Sequence, residues 1–229
     1  TNFFGNTELE KHVFTLKTTY DAIEIRNHII RTFEQALSVT EDDRAALLHL
    51  VIVGAGPTGV ELAGAFAEIK RDILPRDYPG INFSDFKITL IEGSANTLNS
   101  MSEQARKHSR RYLEEMGVTL LTEIFVKQYD GIHLTLSDAS VLQSRTVIWA
   151  AGVSANSLSG IPEACQAPGN RLQVNRYNEV IGLANIYAIG DMAYMTTPNY
   201  PKAHPQLANV AINQAKLLAK NLRQIAWGK

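Results

Sequence analysis

The run GAGPTGVELAG, from Gly54 to Gly64, spaces three glycines as G-x-G-x-x-G. A continuously apolar stretch, LLHLVIVG, leads into it, and a helical pattern follows. In that setting each glycine has a task. Gly54 allows the tight turn out of the strand, Gly56 lets the backbone approach a pyrophosphate, and Gly59 lets helix and strand pack closely. The helix start at Pro57 and Thr58 would offer backbone N–H groups and a partial positive charge to phosphate oxygens. The alternative is a tight structural turn that binds nothing. An acid at the end of the second strand, Glu92, could accept hydrogen bonds from a ribose 2′-OH and repel a 2′-phosphate, which favours NADH over NADPH. It could also be a solvated strand-end acid. It lies nearly twice as far from the loop as the usual separation of about 20 residues. Glu61, in the first turn after the loop, is either a carboxylate stabilised by the helix dipole or a group directed at the reacting end of a bound nucleotide. Near the other end of the chain, NIYAIGD closes on Gly190-Asp191, where an acid could hold a second nucleotide or merely cap a turn.

These residues need a scaffold. Residues 18–37 place Ala22, Ile25, Ile29, Ile30, Phe33 and Leu37 on one helical stripe. TEDDRAA, residues 40–46, reads as a polar break before the buried strand that ends at Gly54. A helix is expected over 58–74, stopped by Pro75, with a loop to residue 86. KITLIEG is the next strand, residues 101–116 the next helix, and Gly117 its stop. Short strands follow, with a hairpin turn at Asp130-Gly131. TVIWAAG is a further buried strand carrying Trp149 into the core. Residues 154–172 read as a connector, NIYAIGD as the last strand, and NVAINQAKLLAKNLRQI as a terminal helix. The order strand, helix, strand, helix, strands implies an α/β fold: a Rossmann-like, mainly parallel sheet with helices on both faces.

Composition narrows the chemistry. The 229 residues are 45% hydrophobic with a formal net charge of −1, which argues against a nucleic-acid partner. A single cysteine, Cys165, excludes a CxxC redox pair within these residues, so electron transfer would run through a cofactor. The six histidines show no metal-ligand spacing, and no metal is expected. No run approaches the ~18 apolar residues of a membrane span, and TNFFGNTELEKH has no apolar signal region. The basic run RKHSRR, Arg106 to Arg111, is a solvated face or a neighbour of an anionic surface.

Taken in order, TNFFGN, NHIIRTFEQA, VIVGAGPTGVELAGAFAE, LPRDYPG, ITLIEG, VIWAAGVSAN and IYAIGDMA resemble the type II NADH dehydrogenases, flavoproteins of the two-dinucleotide-domain superfamily. The resemblance covers nearly the whole chain. It implies a single-subunit, non-proton-pumping NADH:quinone oxidoreductase in which NADH reduces FAD and electrons pass to a quinone at the membrane. On this basis Gly54, Gly56, Pro57, Thr58 and Gly59 hold the NADH pyrophosphate and Glu92 the adenosine ribose. Glu61 lies near the nicotinamide as the catalytic candidate, and Ala151 and Gly152 line the nicotinamide side. Gly190, Asp191, Leu207 and Ala208 serve FAD. The implied division is 1–46 as an N-terminal helical segment on the FAD side, 47–157 as the NADH domain, and 158–229 as connector and the rest of the FAD side. The intact protein is expected in the cytoplasm, peripherally attached to the inner face of the cell membrane, with homodimerisation possible.

The chain also departs from the family. The usual N-terminal FAD-binding GxGxxG has no counterpart before Leu47, and the chain stops at QIAWGK without amphipathic anchoring helices. The quinone-side pattern AQxxxQ reads ANVAIN here, placing Asn209 and Asn213 where Gln is usual, with Gln214 next door as an alternative amide. The expectation is an excised piece that binds NADH but does not turn it over, because hydride transfer needs an acceptor ~3–3.5 Å from the nicotinamide. Two other functions are open: a superfamily member that reduces ferredoxin or another carrier, and a non-catalytic NAD(H)-sensing module.

Overall fold

The computed structural model describes residues 2–228. Its backbone divides into two compact units, residues 3–152 and, of the described residues, 153–228.

The first unit begins with helix α1 (Thr7–Glu10), strand β1 (Phe14–Thr15), helix α2 (Thr19–Ala36) and helix α3 (Glu41–Leu47). Then come β2 (His49–Val53), α4 (Pro57–Asp72), α5 (Leu74–Asp77), β3 (Lys87–Glu92), α6 (Glu103–Glu115) and β4 (Thr119–Thr122). A three-stranded meander, β5 (Val126–Tyr129), β6 (His133–Leu136) and β7 (Val141–Gln143), precedes β8 (Thr146–Trp149). The main sheet has the order β1-β8-β2-β3-β4, and every pairing in it is parallel. All five residues of β2 are buried, as befits a central parallel strand covered on both faces.

The two faces are covered differently. Leu50 and Ile52 of β2, Ile88 and Leu90 of β3 and Ile148 of β8 pack with Ile25 and Phe33 of α2, Ala63 and Ala67 of α4 and Leu113 of α6. On the other face Val51, Val53, Ile91, Val147 and Trp149 meet Tyr129, Leu134 and Leu136 of the meander and Leu9 of α1. The expected helices on both faces are therefore corrected: three long helices cover one face and mainly an antiparallel sheet covers the other. Alternation along each strand serves both layers, so the apolar runs looked the same from sequence.

Two further expectations change. TEDDRAA is not a break but helix α3, with Thr40 at its N-cap position. Pro75 does not end helical structure, because it sits in the first turn of α5, where its missing N–H costs nothing. The segment before residue 47 is built into the first unit through the β1–β8 pairing. Helix α2 starts from a capping box of Thr18 and Asp21. Of its expected stripe, Ile25 and Phe33 are buried while Ala22, Ile30 and Leu37 are exposed. Phe33 packs against the rings of Tyr78, Phe83 and Phe86, at centroid distances of 5.5, 5.9 and 5.2 Å. The long segment before Glu92 is thus the anchorage of α2.

The second unit contains a short sheet of β9 (Gln166–Ala167), β10 (Arg171–Val174) and β11 (Ala193–Met195), ordered β11-β10-β9, and the helix α7 (Ala208–Ala226). NIYAIGD is not a strand. It forms one bridge, Tyr187 to Glu179, and enters a 3-10 turn at Gly190–Met192. Buried Cys165, Leu172, Val174, Val180, Ala188, Ala193 and Met195 form this unit's core.

A buried polar network closes the amino-terminal ends of the central strands. His49 shares hydrogen bonds with the Gln143 carbonyl (2.8 Å) and the Thr89 hydroxyl (2.9 Å). The Ser144 hydroxyl donates to the His49 carbonyl, and the Tyr129 hydroxyl donates to the Ser144 carbonyl. Burial lowers the pKa of His49 and, less deeply placed, of His28 on α2. Both imidazoles are biased toward the neutral form in the fold. Their contribution is therefore complete above the unfolded histidine pKa of about 6.5 and is lost as pH falls through it toward the depressed folded values. Urea unfolding should give a midpoint that drops between pH 7.5 and pH 5, and His49→Gln should flatten that drop.

Candidate functional site

The carboxyl ends of β2, β3 and β8 carry the predicted residues of the first unit. Gly54 has φ +104°, and a Cβ there would lie 2.7 Å from the backbone N and Cα of Ala151. Only a residue without a side chain can turn here and let the two strand exits touch backbone to backbone. A Cβ on Gly59 would collide with the carbonyl oxygen of Gly54. At Gly56 the result is the opposite, since a Cβ would meet nothing within 4 Å. Gly54 and Gly59 are closed by the fold, while the face of Gly56 is open. Helix α4 starts just beyond, with Gly56 as N-cap and Pro57 as its first residue. Thr58 is exposed, and the N–H groups of this first turn lie outside the helix's own ladder. The loop is an anion cradle by shape and by dipole. Glu61 is exposed one turn further on.

Glu92 ends β3, half-buried, and both its oxygens are engaged. One accepts the N–H of Ala55 at 2.7 Å, and the other accepts the N–H of Ser94 at 2.8 Å. The Ala55 carbonyl accepts from Leu98 N–H at 2.8 Å, and Gly54 N–H donates to the Ile91 carbonyl at 2.7 Å. Glu92 is thus a brace across the glycine loop as well as the acid nearest to it. Each carboxylate oxygen has a second lone pair, so the brace leaves acceptor capacity toward ribose hydroxyls. Sequence reasoning missed this bracing, because nothing in residue spacing tells that the acid reaches a backbone N–H 37 positions away. Ala151 and Gly152 follow β8, with Gly152 at φ +69°. The structure therefore brings together Gly54, Gly56, Pro57, Thr58, Gly59, Glu92, Ala151 and Gly152.

In the second unit Gly190 has φ +65°, and its N–H donates to the side-chain oxygen of Gln214 at 2.7 Å. A Cβ on Gly190 would lie 3.2 Å from Cβ of Ala211. The turn that presents Asp191 therefore rests on the first two turns of α7. Asp191 is exposed, and its carbonyl accepts from Gln206. Leu207 is the N-cap of α7 and Ala208 its first residue. Asn209 and Asn213 are exposed one turn apart. Gln214, expected as the alternative quinone-side amide, is buried and committed to Gly190. A residue not singled out from sequence is Arg171. It is buried and donates to the carbonyls of Ala193 and His204, tying β11 to the segment before α7. Among the described residues, no group of three or more His, Cys, Asp or Glu is placed to hold a metal ion. No helix among them is long and apolar enough to cross a membrane.

Residues 12–215 match the family described as pyridine nucleotide-disulphide oxidoreductase, and the chain belongs to that family. It is similar to a type II NADH:quinone oxidoreductase of Mycobacterium tuberculosis, with 30% identity over 231 residues, 97% of this chain and 49% of that protein. It is also similar to the mitochondrial internal alternative NAD(P)H-ubiquinone oxidoreductase A1 of Arabidopsis thaliana, with 31% identity over 220 residues, 94% of this chain and 42% of that protein. Among solved structures it resembles NDH2 from Plasmodium falciparum in complex with NADH, with a TM-score of 0.75 and 27% identity over 85% of this chain and 42% of that one. The chain spans about half or less of the length of the relatives it matches. The α/β fold and the likeness to type II NADH dehydrogenases read from the motifs are thus met in both sequence and structure.

The two kinds of glycine predict opposite results. Gly59→Ala should destabilise by about 3 kcal/mol, a fall in Tm on the order of 10 °C. Gly56→Ala should leave Tm unchanged. Differential scanning calorimetry of the two variants checks both.

Proposed function

We propose that the chain is the NADH-binding part of a type II NADH:quinone oxidoreductase. The observation that carries this reading is the open cradle at Gly56. A glycine with free space before it, a helix N-terminus behind it and a carboxylate beside it form the set a dinucleotide requires. The pyrophosphate would lie on Gly56, Pro57, Thr58 and Gly59, and the adenosine ribose would reach Glu92. Ala151 and Gly152 would line the nicotinamide side, with Glu61 as the carboxylate that positions the ring.

In the intact protein, residues 1–46 and 158–229 would serve the FAD side and 47–157 NADH. Gly190 and Asp191 would hold FAD together with Leu207 and Ala208. The residues fit that role, since the Asp191 turn is fixed by Gln214 and leaves its carboxylate exposed. Bound FAD would supply the two-electron acceptor through which electrons reach a quinone. Asn209 and Asn213 would face the quinone, while Gln214 would act behind them by fixing Gly190. The names of the relatives support NADH and quinone as substrates. Peripheral attachment to the inner face of the cell membrane belongs to the same proposal. So does a homodimer.

Calorimetric titration of the chain tests the reading. NADH should bind saturably, and NADPH at least about tenfold more weakly. Gly56→Val should abolish NADH binding at unchanged Tm. Glu92→Ala should weaken NADH and narrow the gap to NADPH. Equal affinity for the two nucleotides would remove Glu92 as selector, and binding of neither would overturn the site.

A further inference from the structure

We propose that Phe125 is the wall against which the adenine ring of the dinucleotide stacks. The inference deepens the reading above and rests on it. Phe125 is apolar and aromatic, yet 62% exposed. One edge of its ring, Cδ1, Cε1 and Cζ, occupies the place where a side chain on Gly93 would begin. Gly93 directly follows Glu92. Gly93 takes up one side of the ring, and with 62% of the residue exposed the remainder is left for stacking.

The ring is held there by its backbone. Phe125 N–H donates to the Ser137 hydroxyl at 3.1 Å, and its carbonyl accepts from Ser137 N–H at 2.8 Å. Ile124 N–H donates to the Glu92 carbonyl at 3.2 Å, and Glu123 N–H to the Ser94 carbonyl at 3.1 Å. Glu123 has φ +60°, a conformation that non-glycine residues take at a cost and that recurs at functional positions. That turn carries the chain from β4 back over the exit of β3.

The sheet order supplies direction. Across β8-β2-β3-β4 the strand exits present Ala151, the glycine loop, Glu92 and then the segment that bears Phe125. A dinucleotide lying across these exits, nicotinamide toward β8, pyrophosphate on the loop and ribose at Glu92, puts its adenine one strand further, over β4. Strands are about 4.8 Å apart, so the next group beyond the ribose meets Phe125.

The test uses Phe125→Leu, which keeps apolar bulk and removes the ring, and Phe125→Trp, which enlarges it. Each is titrated with NADH and with ADP-ribose, and Tm is measured on each. Phe125→Leu should weaken both ligands about tenfold, the order of base–aromatic stacking, while Phe125→Trp should bind at least as tightly as the native chain. Equal affinity of Phe125→Leu and the native chain would overturn the proposal. So would equal losses in both variants, which would make the contact one of shape and not of stacking. A native chain that binds neither ligand would overturn the nucleotide site itself, and this wall with it, a result separable from a native chain that binds and a variant that binds equally.

Discussion

The first unit depends on one close approach: the backbone of Gly54 against the backbone of Ala151. Two parallel strands can end side by side with nothing between them only if one has no side chain at its exit. Once they do, the chain must leave β2 at a positive φ, and helix α4 must begin almost at once. Gly59 completes the constraint, because α4's first turn lies on the carbonyl of Gly54. The cradle at Gly56 is what remains uncovered. The close packing and the open cradle come from the same three glycines, but the sides they face are opposite. Gly54 and Gly59 are shut by the protein, and Gly56 is left open.

The two ends of the sheet share the work unequally. At the amino-terminal ends, His49, Thr89, Ser144 and Tyr129 satisfy one another inside the protein. A buried network of this kind specifies register and leaves little free for a ligand. At the carboxyl ends the polar groups belong to loops, and the bracing is partial. Glu92 spends one lone pair on each of two backbone donors and keeps the rest. Such a group can stiffen a loop before a ligand arrives and still recognise it, which is how preorganisation lowers the cost of binding.

Where sequence reasoning succeeded, the cause was local. Strands β2 and β3, helices α4 and α6 and the Asp130-Gly131 turn follow from apolar runs, capping residues and positive-φ glycine, signals that need no partner. Where it failed, the cause was tertiary. TEDDRAA is polar because α3 is a surface helix, and polarity alone does not separate a surface helix from a loop. NIYAIGD carries a strand-like alternation, but only Tyr187 finds a bridge partner, and the run ends in a 3-10 turn. The meander that covers the second face of the sheet gives short alternating strands, visible as such, without telling what they cover. The placement of the glycines and of Glu92 at neighbouring strand ends was legible from their spacing, but the engagement of Glu92 with Ala55 was not.

The three amides at the start of α7 show the same limit at single-residue scale. Asn209, Asn213 and Gln214 are chemically alike and close in sequence, so type and spacing rank them equally as groups for an external ligand. The helix separates them. Asn209 and Asn213 are four apart and exposed together, while Gln214 is turned by one further residue, about 100°, into the protein. There its oxygen meets the N–H of Gly190, which has no ladder partner because its φ of +65° takes it out of any strand. An unpaired backbone donor at that depth would be costly. The amide therefore answers a need created by the Gly190-Asp191 turn, and the carboxylate that follows is held in place by a helix that begins well beyond it in the chain. A residue's role here is decided by which backbone group would otherwise go without a partner, and that is a property of the fold.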